Sequence, residues 1–585
     1  MPGYQDKVYD VAIMGGGPAG STLAARLARE TTLSVAIFEA EFFPRDHIGE
    51  TLVHTIVPSL QESGALDKVL ASECWIKKAG GFYSWDPKRP WASYFEHHLN
   101  EKDGYHRWSI HCNRPEFDHI LLNHARDSGA EVYEGTPVNA VSRQDGITTL
   151  DLGVNGQARC KLFVNSSGRT SSTTITGERQ FLSNYRNVAI WNHIVGGRPA
   201  QSLPGDWNIF REKDLSPIAS LAFDDGWFWY IPVPKVIQGK RVVTHSLGLV
   251  TDPSALSDPK KRYTDPRIFM ETARRVPLLG ELIMDAELVS DKFLTAPNYS
   301  RISGRMCDWD KREIRVGDAA YFVDPLFSSG VHFALQHAGM AVVMIKAAFD
   351  DGLSDAMKRE LWDDYQETLG SVARAFALGI DQWYTEIARD NPKSVYWGHR
   401  GSGDSTFVTR ADTFQALING QIHGDLIQVI TKGTNTLNSL GKDGALRRTH
   451  DEIQKREPRN DARIRLKRNV DVKPSLTLEG PVTAPDGRMI PFLHGPYWDD
   501  PAKHAHEVLP LHPGPQECHR FYFKDDDNGI KVKFHDAEHH GLELADRLRS
   551  GDYTYGELKQ QLSAPQQHLL LLTVLSDMVE QLPPS

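Results

Sequence analysis

Three observations predict an α/β fold for this 585-residue chain. An apolar strand from Val8 to Met14 runs through Gly15-Gly16-Gly17-Pro18-Ala19-Gly20 into a helical pattern from Ser21 to Glu30. A second strand, Ile314-Arg315-Val316, ends in Gly317-Asp318 and leads past Asp324-Pro325 into another long helical pattern. Between them, from about 184 to 250, the chain is rich in strand formers around Trp227-Phe228-Trp229-Tyr230. Together these imply a Rossmann-type dinucleotide-binding domain with an inserted β-rich, substrate-side domain. A mainly helical C-terminal region follows.

The first element is the most specific. Gly15, Gly17 and Gly20 have the G-x-G-x-x-G spacing, with Ala19 inside the turn. Such glycines allow a tight turn, a close approach to a pyrophosphate, and close helix packing, with the helix N–H groups aimed at the anion. A second apolar run, Ser34 to Phe38, ends in Glu39, an acid placed to accept a ribose hydroxyl pair. By themselves these residues admit either NAD or FAD.

After Glu39 a Pro- and Gly-punctuated loop runs from Phe42 to Thr51, and a helical pattern from Val57 to Val69 follows. Trp75 to Trp85 reads as one strand with a glycine bulge at Gly80-Gly81. Arg114 opens a helix with Leu121, Leu122 and Ala125 on one face, and strands resume at Glu131, Thr148 and Leu162. Phe163-Val164-Asn165 turns at Ser166-Ser167-Gly168, which reads as another edge of the nucleotide site. Residues 353–438 are mostly helical in pattern, 447–468 are charged, and 470–585 differ in composition. Within that end, 542–582 reads as helix–turn–helix, with Thr554 and Glu557 spaced as a capping box. The expected organisation is a dinucleotide-binding domain at 1–350 with an inserted sheet at about 185–290. A helical region at 351–445, a charged linker at 446–469 and an appendage at 470–585 complete it.

Composition narrows the class. Hydrophobic content of 40% and charged content of 24% are those of a soluble globular protein. A net charge of -10 argues against nucleic acid as a partner. The five cysteines lack metal spacing and suit a reduced, cytoplasmic setting with no metal. No signal peptide is visible, and the longest apolar run, His568 to Val579, is too short to span a bilayer, so no membrane association is expected. That run reads as a buried C-terminal helix. Histidines at 97–98, 504, 506 and 539–540 form no convincing ligand set, and no G-x-S-x-G elbow occurs.

Gly15-x-Gly17-x-x-Gly20, Arg114 and Gly317-Asp318 together resemble the FAD-binding fold of p-hydroxybenzoate-hydroxylase-type flavoproteins over roughly residues 5–350. The resemblance implies FAD, with Asp318 at the ribityl or diphosphate end. Three further stretches resemble flavin-dependent halogenases. Trp227-x-Trp229-x-Ile231-Pro232 is similar to their W-x-W-x-I-P pattern, and Phe43-Pro44-Arg45 with Gly49-Glu50-Thr51 to their F-P-R-x-x-x-G-E-[ST] loop. Asp324 to Val331 is similar to the segment that places flavin and halide. The resemblance implies cofactor contacts at Arg45, Gly49, Arg114 and Val331 and halide bound near Ser329 and Gly330. It also implies a tunnel flanked by Trp227 and Trp229 and a catalytic lysine. Lys77 and Lys78 are adjacent, and strand alternation lets only one enter a buried tunnel. Lys78, in Lys78-Ala79-Gly80, better fits the family's K-x-G spacing; Lys77 is the fallback.

Two departures refine the reading. Halogenases of free tryptophan have a glutamate where this chain has Phe327, which moves the resemblance toward the phenol and pyrrole branch, free or carrier-tethered substrates included. NADPH-dependent hydroxylases carry an Asp-Gly pair where this chain has Ser166-Ser167-Gly168-Arg169, so reduced FAD is expected from a separate reductase. The expected function is a two-component halogenase using reduced FAD, dioxygen and chloride or bromide. The rivals are a flavin monooxygenase or dehydrogenase of the same fold and a non-catalytic FAD- and carrier-binding protein. The basic group Arg463, Arg465, Lys467 and Arg468 reads as a solvated helix face, with an acidic-carrier dock as the alternative.

Overall fold

The computed structural model describes residues 4–5, 7–53, 55–94, 108–169, 179–181, 186–203, 210–211, 216–297, 299–400, 458–474, 482–483, 489–490, 520–525, 530–535, 540–562, 571, 574–575 and 578–583. Histidines 97, 98, 504, 506 and 539, and the helical pattern beyond 400, lie outside these residues.

The first sheet has eight strands. Its parallel centre runs Glu313–Arg315, Gln157–Asn165, Val8–Met14, Val35–Phe38, Glu131–Tyr133. Val35–Phe38 is buried throughout, as a parallel strand covered on both faces must be, and its run of apolar residues is the sequence signature of that burial. Helices Pro18–Glu30, Arg114–Asp127 and Gly330–Ala348 pack around this core. Gly330–Ala348 is the one described helix long and apolar enough to cross a membrane, and it lies buried in the core.

The second eight-stranded sheet contains Val188–Val195, Ile218–Phe223, Gly226–Ile237, Lys240–Thr251, Glu287–Leu288 and Leu294–Pro297. It also recruits Gly80–Ser84 and Trp91–Tyr94, well upstream of the expected insertion. The expected bulged strand at 75–85 is therefore two strands in two sheets. Trp75–Lys78 pairs with Ser109–Cys112, the chain breaks at Ala79, and Gly80–Ser84 joins the large sheet. Gly80, at φ +159°, carries the change of direction. Along Gly226–Ile237 alternation divides two cores: Trp227, Trp229 and Ile231 face the cofactor-domain core, while Phe228 and Tyr230 face a second. Helix Pro266–Arg275 contributes Phe269, Met270 and Ala273 to that second core.

Helix Asp355–Asp390 packs back onto the first core through Trp362, Tyr365, Phe376 and Trp383. The C-terminal residues form their own cluster, including Ile464, Leu544, Tyr555 and Met578. Ile464–Leu466, inside the expected linker, is a strand paired with Val579–Gln581. Arg465 and Lys467 therefore sit on or beside a strand rather than a helix face, and Arg465 pairs with Glu580 at 2.6 Å. In the expected apolar helix, Leu571, Val574 and Met578 are buried, and its last residue, Val579, begins that strand. Helices Gly541–Ser550 and Tyr555–Gln561 follow the expected order, with a complete capping box between Thr554 and Glu557.

Candidate active site

The glycine turn is tight for a steric reason. Gly15 has φ +103°, a Cβ there would strike the Ser166 carbonyl, and one on Gly20 would strike the Gly15 carbonyl. Gly17 precedes the helix, and no side chain caps that helix end. Its free N–H groups and the positive end of the helix suit a diphosphate. Gly15, Gly17, Pro18 and Ala19 line a cavity of about 570 Å³, together with Glu39, Arg45, Gly49, Arg114 and Asp318. Glu39 accepts from Gly16 N at 2.6 Å and Glu41 N at 2.9 Å, and its remaining lone pairs suit ribose hydroxyls. The uncapped helix end, the glycine cradle and the acid fit an adenine dinucleotide.

Arg45 lies over the Phe43 ring and pairs with Glu41 at 3.1 Å. Arg114 is buried and bidentate to Asp118 at 2.8 and 2.9 Å, and it donates to the Ile48 and Gly49 carbonyls. Burial opposes its charge, and Asp118 more than offsets that, holding its pKa above the ordinary value. Its polar atoms thus shape the 45–51 loop. Gly49 fits beside it at φ +103°, where a Cβ would lie 2.7 Å from Arg114 Nη1. Asp318 faces Arg169 across 3.7 Å, and Ser166, Ser167, Gly168 and Arg169 all line the cavity. Burial, and then Arg114, Arg169 and Arg45, push the His47 pKa well below its ordinary value.

Trp227, Trp229 and Ile231 form one wall of this cavity, with the two indole rings 6.0 Å apart. Trp229 Nε1 donates to Ser246 Oγ at 3.1 Å, while the buried Trp227 Nε1 has no hydrogen-bond partner among the described residues. Pro232, on the opposite face of the strand, pairs with His245 and is not part of the wall. Lys78 is buried and Lys77 exposed, as alternation in Trp75–Lys78 requires. Lys78 Nζ donates to the Leu52 carbonyl at 2.9 Å, immediately after the cavity-lining Glu50 and Thr51. Lys78 itself does not line the cavity; its ammonium is bonded to the backbone next to residues that do. Burial pushes its pKa down to about 7, so a large fraction is neutral amine near neutral pH.

Sequence reasoning did not assign the polar network at Glu50. Its carboxylate meets His193 Nε2 at 2.6 Å, and His193 Nδ1 meets Lys235 Nζ at 3.1 Å. Burial alone would raise the Glu50 pKa, and His193, Ser246 and Lys235 bring it below the ordinary value. Lys235 is half-buried, so the network links the cavity to the protein surface. Glu50 lies in the quoted loop pattern, but its partners come from two distant strands.

At the far end, Ser328, Gly330 and Val331 line the cavity where Gly330–Ala348 begins. Ser329 is buried at the N-cap, with no side-chain cap. Phe327 is buried outside the cavity lining and meets Trp383 edge-on at 5.8 Å.

A model of the tryptophan halogenase family matches residues 10–106 and 92–420. Tryptophan 2-halogenase of Chondromyces crocatus is 28% identical over 428 residues, covering 70% of this chain and 76% of that protein. Flavin-dependent halogenase armH4 of Armillaria mellea is 33% identical over 382 residues, covering 60% and 68%. The 1H-pyrrole-2-carbonyl-(peptidyl-carrier protein) chlorinase of Pseudomonas fluorescens is 30% identical over 360 residues, covering 57% and 75%. Among solved structures, the myxobacterial chondrochloren halogenase CndH superposes with a TM-score of 0.58 at 26% identity, over 72% of this chain and 91% of that one. The flavin-dependent halogenase CmlS superposes with a TM-score of 0.61 at 23% identity, over 90% and 98%. With the family model spanning the cavity, the tryptophan wall and Lys78, the chain belongs to the tryptophan halogenase family and is an FAD-binding, flavin-dependent halogenase.

Proposed function

We propose that this halogenase transfers chlorine or bromine to an electron-rich aromatic, a phenol or pyrrole, free or carrier-tethered, with reduced FAD supplied by a separate reductase. The observation that carries the reading is Lys78, buried behind Leu52 and bonded to its carbonyl.

Bound reduced FAD would supply two electrons to dioxygen, which as the oxidant takes two more from halide, so that hypohalous acid and water form. The backbone N–H groups of Ser329 and Gly330, at an uncapped helix start, hold the halide. Trp227, Trp229 and Ile231 keep bulk water out, which restrains loss of the oxidant. Making hypohalous acid from halide, dioxygen and a neutral reduced flavin takes up one proton. Glu50, ionised at rest, is placed to relay it, taking a proton from the His193 and Lys235 side as it passes one on. Lys78 Nζ then receives hypohalous acid, as a hydrogen-bond partner or as a chloramine, and presents electrophilic halogen to the ring. The ring proton leaves as halogen adds, so hypohalous acid and arene give haloarene and water.

Phe327 favours activated rings. An apolar ring packed on Trp383 takes the place of a carboxylate, so the acceptor's own oxygen or nitrogen must supply the electron density. Similarity to the carrier-linked pyrrole chlorinase supports a pyrrole, and tethering, as one form of acceptor. The test is to incubate the protein with FAD, a flavin reductase, NADH and chloride or bromide, with free and carrier-bound phenols, pyrroles and tryptophan, and to read product masses. A halogen isotope pattern on phenol or pyrrole is expected. Hydroxylated products without halogen, or halogenation of tryptophan alone, would overturn the proposal.

A further inference from the structure

The turn that leads into Gly330–Ala348 holds an unfavourable backbone. Ser328 has φ +61°, a left-handed conformation that costs a non-glycine residue about 1–2 kcal/mol. Such a residue persists only where its surroundings over-determine it. Within the turn, Ser328 N–H donates to the Pro325 carbonyl at 3.0 Å, and Leu326 N–H donates to Asp324 Oδ1 at 3.0 Å. From outside, Tyr384 Oη donates to the other Asp324 oxygen, Oδ2, at 3.0 Å. Asp324 and Tyr384 are buried, at 1% and 0% exposure, so this contact is made in a low-dielectric setting where a hydrogen bond to a carboxylate is strong. The preceding residue, Trp383, meets Phe327 edge-on. Tyr384 itself packs against Trp397, whose Nε1 donates to the Phe223 carbonyl in the large sheet. The shape of the turn is thus set from helix Asp355–Asp390, an element with no place in the nucleotide-binding motif.

We propose that Tyr384 is a positioning residue for halide: through Asp324 it fixes the Pro325–Ser329 turn so that the N–H groups of Ser329 and Gly330 point at the ion. The inference rests on the halide site of the proposed function. It places a determinant of halide affinity on a helix that contributes no residue to the cavity lining. A backbone anion site has no side chain to adjust, so its geometry must be imposed by what braces the turn.

The test is Tyr384→Phe, which removes one hydroxyl from a buried ring and leaves Trp383 in place. The halide KM is expected to rise about tenfold, the change that loss of one charge-assisted hydrogen bond brings, with kcat at saturating halide within about twofold. FAD affinity, measured by flavin fluorescence quenching, should be unchanged. A readout without turnover comes from crystals of FAD-free protein soaked in sodium bromide. An anomalous peak beside Ser329 and Gly330 is expected in the wild-type protein, weakened or lost in Tyr384→Phe. An unchanged halide KM, or an equal bromide peak in both proteins, overturns the positioning role. Loss of FAD binding together with kcat also overturns it, because the hydroxyl would then serve general stability. No bromide at the turn in wild-type protein overturns the underlying halide site and the inference with it. If Tyr384→Phe does not fold, Asp324→Asn reads the same contact. It keeps an oxygen for Leu326 N–H, loses the anionic acceptor of Tyr384, and is held to the same outcomes.

Discussion

Removing the Lys78 ammonium separates its chemistry from its cost. In Lys78→Met, halogenated product should fall by at least ~100-fold while halide-dependent oxidant, trapped by a reactive β-diketone, still forms. Equal loss of both would place Lys78 upstream of hypohalous acid. The same variant should be more stable. Burial holds the folded pKa at about 7, against 10.5 for an unperturbed lysine. The unfolded chain therefore binds the proton more tightly, and the penalty is complete below pH 7 and fades as pH rises to 10.5. At pH 6 the gain is expected to be on the order of 3–5 kcal/mol by denaturant titration, shrinking toward nothing near pH 10.5. Glu50 has the opposite sign. Its folded pKa lies below the ordinary 4.5, so its ionised form stabilises the fold above that pH, and this contribution disappears as pH falls through the folded value. Glu50→Gln should thus be less stable than wild type at pH 6 and converge with it in acid. That only one of Lys77 and Lys78 is buried is legible in the sequence, because a strand alternates; which one is buried agrees with the K-x-G spacing that the family resemblance implies. The joining of Glu50, His193 and Lys235 is not, because a loop and two strands far apart in sequence meet only in the folded protein.

At the scale of elements, the glycine turn is the most readable part of the chain, since its residue types are dictated by steric contact. Gly20→Ala places a Cβ against the Gly15 carbonyl. Isothermal titration should find FAD binding weakened by at least ~100-fold, since the turn must shift to admit the methyl group. Strand Gly226–Ile237 was readable from its unbroken aromatic and apolar run, which a strand buried on both faces by two cores requires. Trp75 to Ser84 was not. A glycine pair signals a bend, but a bulge and a change of sheet have the same local composition, and only the partners Ser109–Cys112 and Ile218–Phe223 decide between them. At Tyr555–Gln561 the capping box was legible because both partners lie within one turn. Thr554→Ala should cost about 1 kcal/mol, read from hydrogen exchange of the Glu557 amide.

Over the whole molecule, the order of cofactor domain, inserted sheet and C-terminal region follows from patterns that repeat over many residues. Boundaries were harder. The large sheet borrows two strands from the cofactor half, and Ile464–Leu466 is bound to the far end of the chain by Val579–Gln581. Arg465, in a segment rich in Arg and Lys, reads as linker in one dimension, yet it pairs with Glu580 in three. Deleting residues 579–585 should leave Ile464 and Leu466 uncovered. Calorimetry is expected to show an early transition for the C-terminal cluster while FAD binding by the first 400 residues persists. One cooperative loss of both would show that the two regions fold as a unit.

The break at Ala79 has a consequence for anyone wishing to redesign this catalyst. Lys78 takes its register from a two-stranded ribbon with Ser109–Cys112, whereas the next residues belong to the broad sheet beyond. The amine proposed to carry halogen is therefore mounted on one chassis and the neighbouring surface on another. Amino-acid libraries built on the outer strands, such as Trp91–Tyr94, would alter surroundings without shifting the register of the amine. Libraries that disturb Ser109 or Cys112 would shift the register of Lys78 itself.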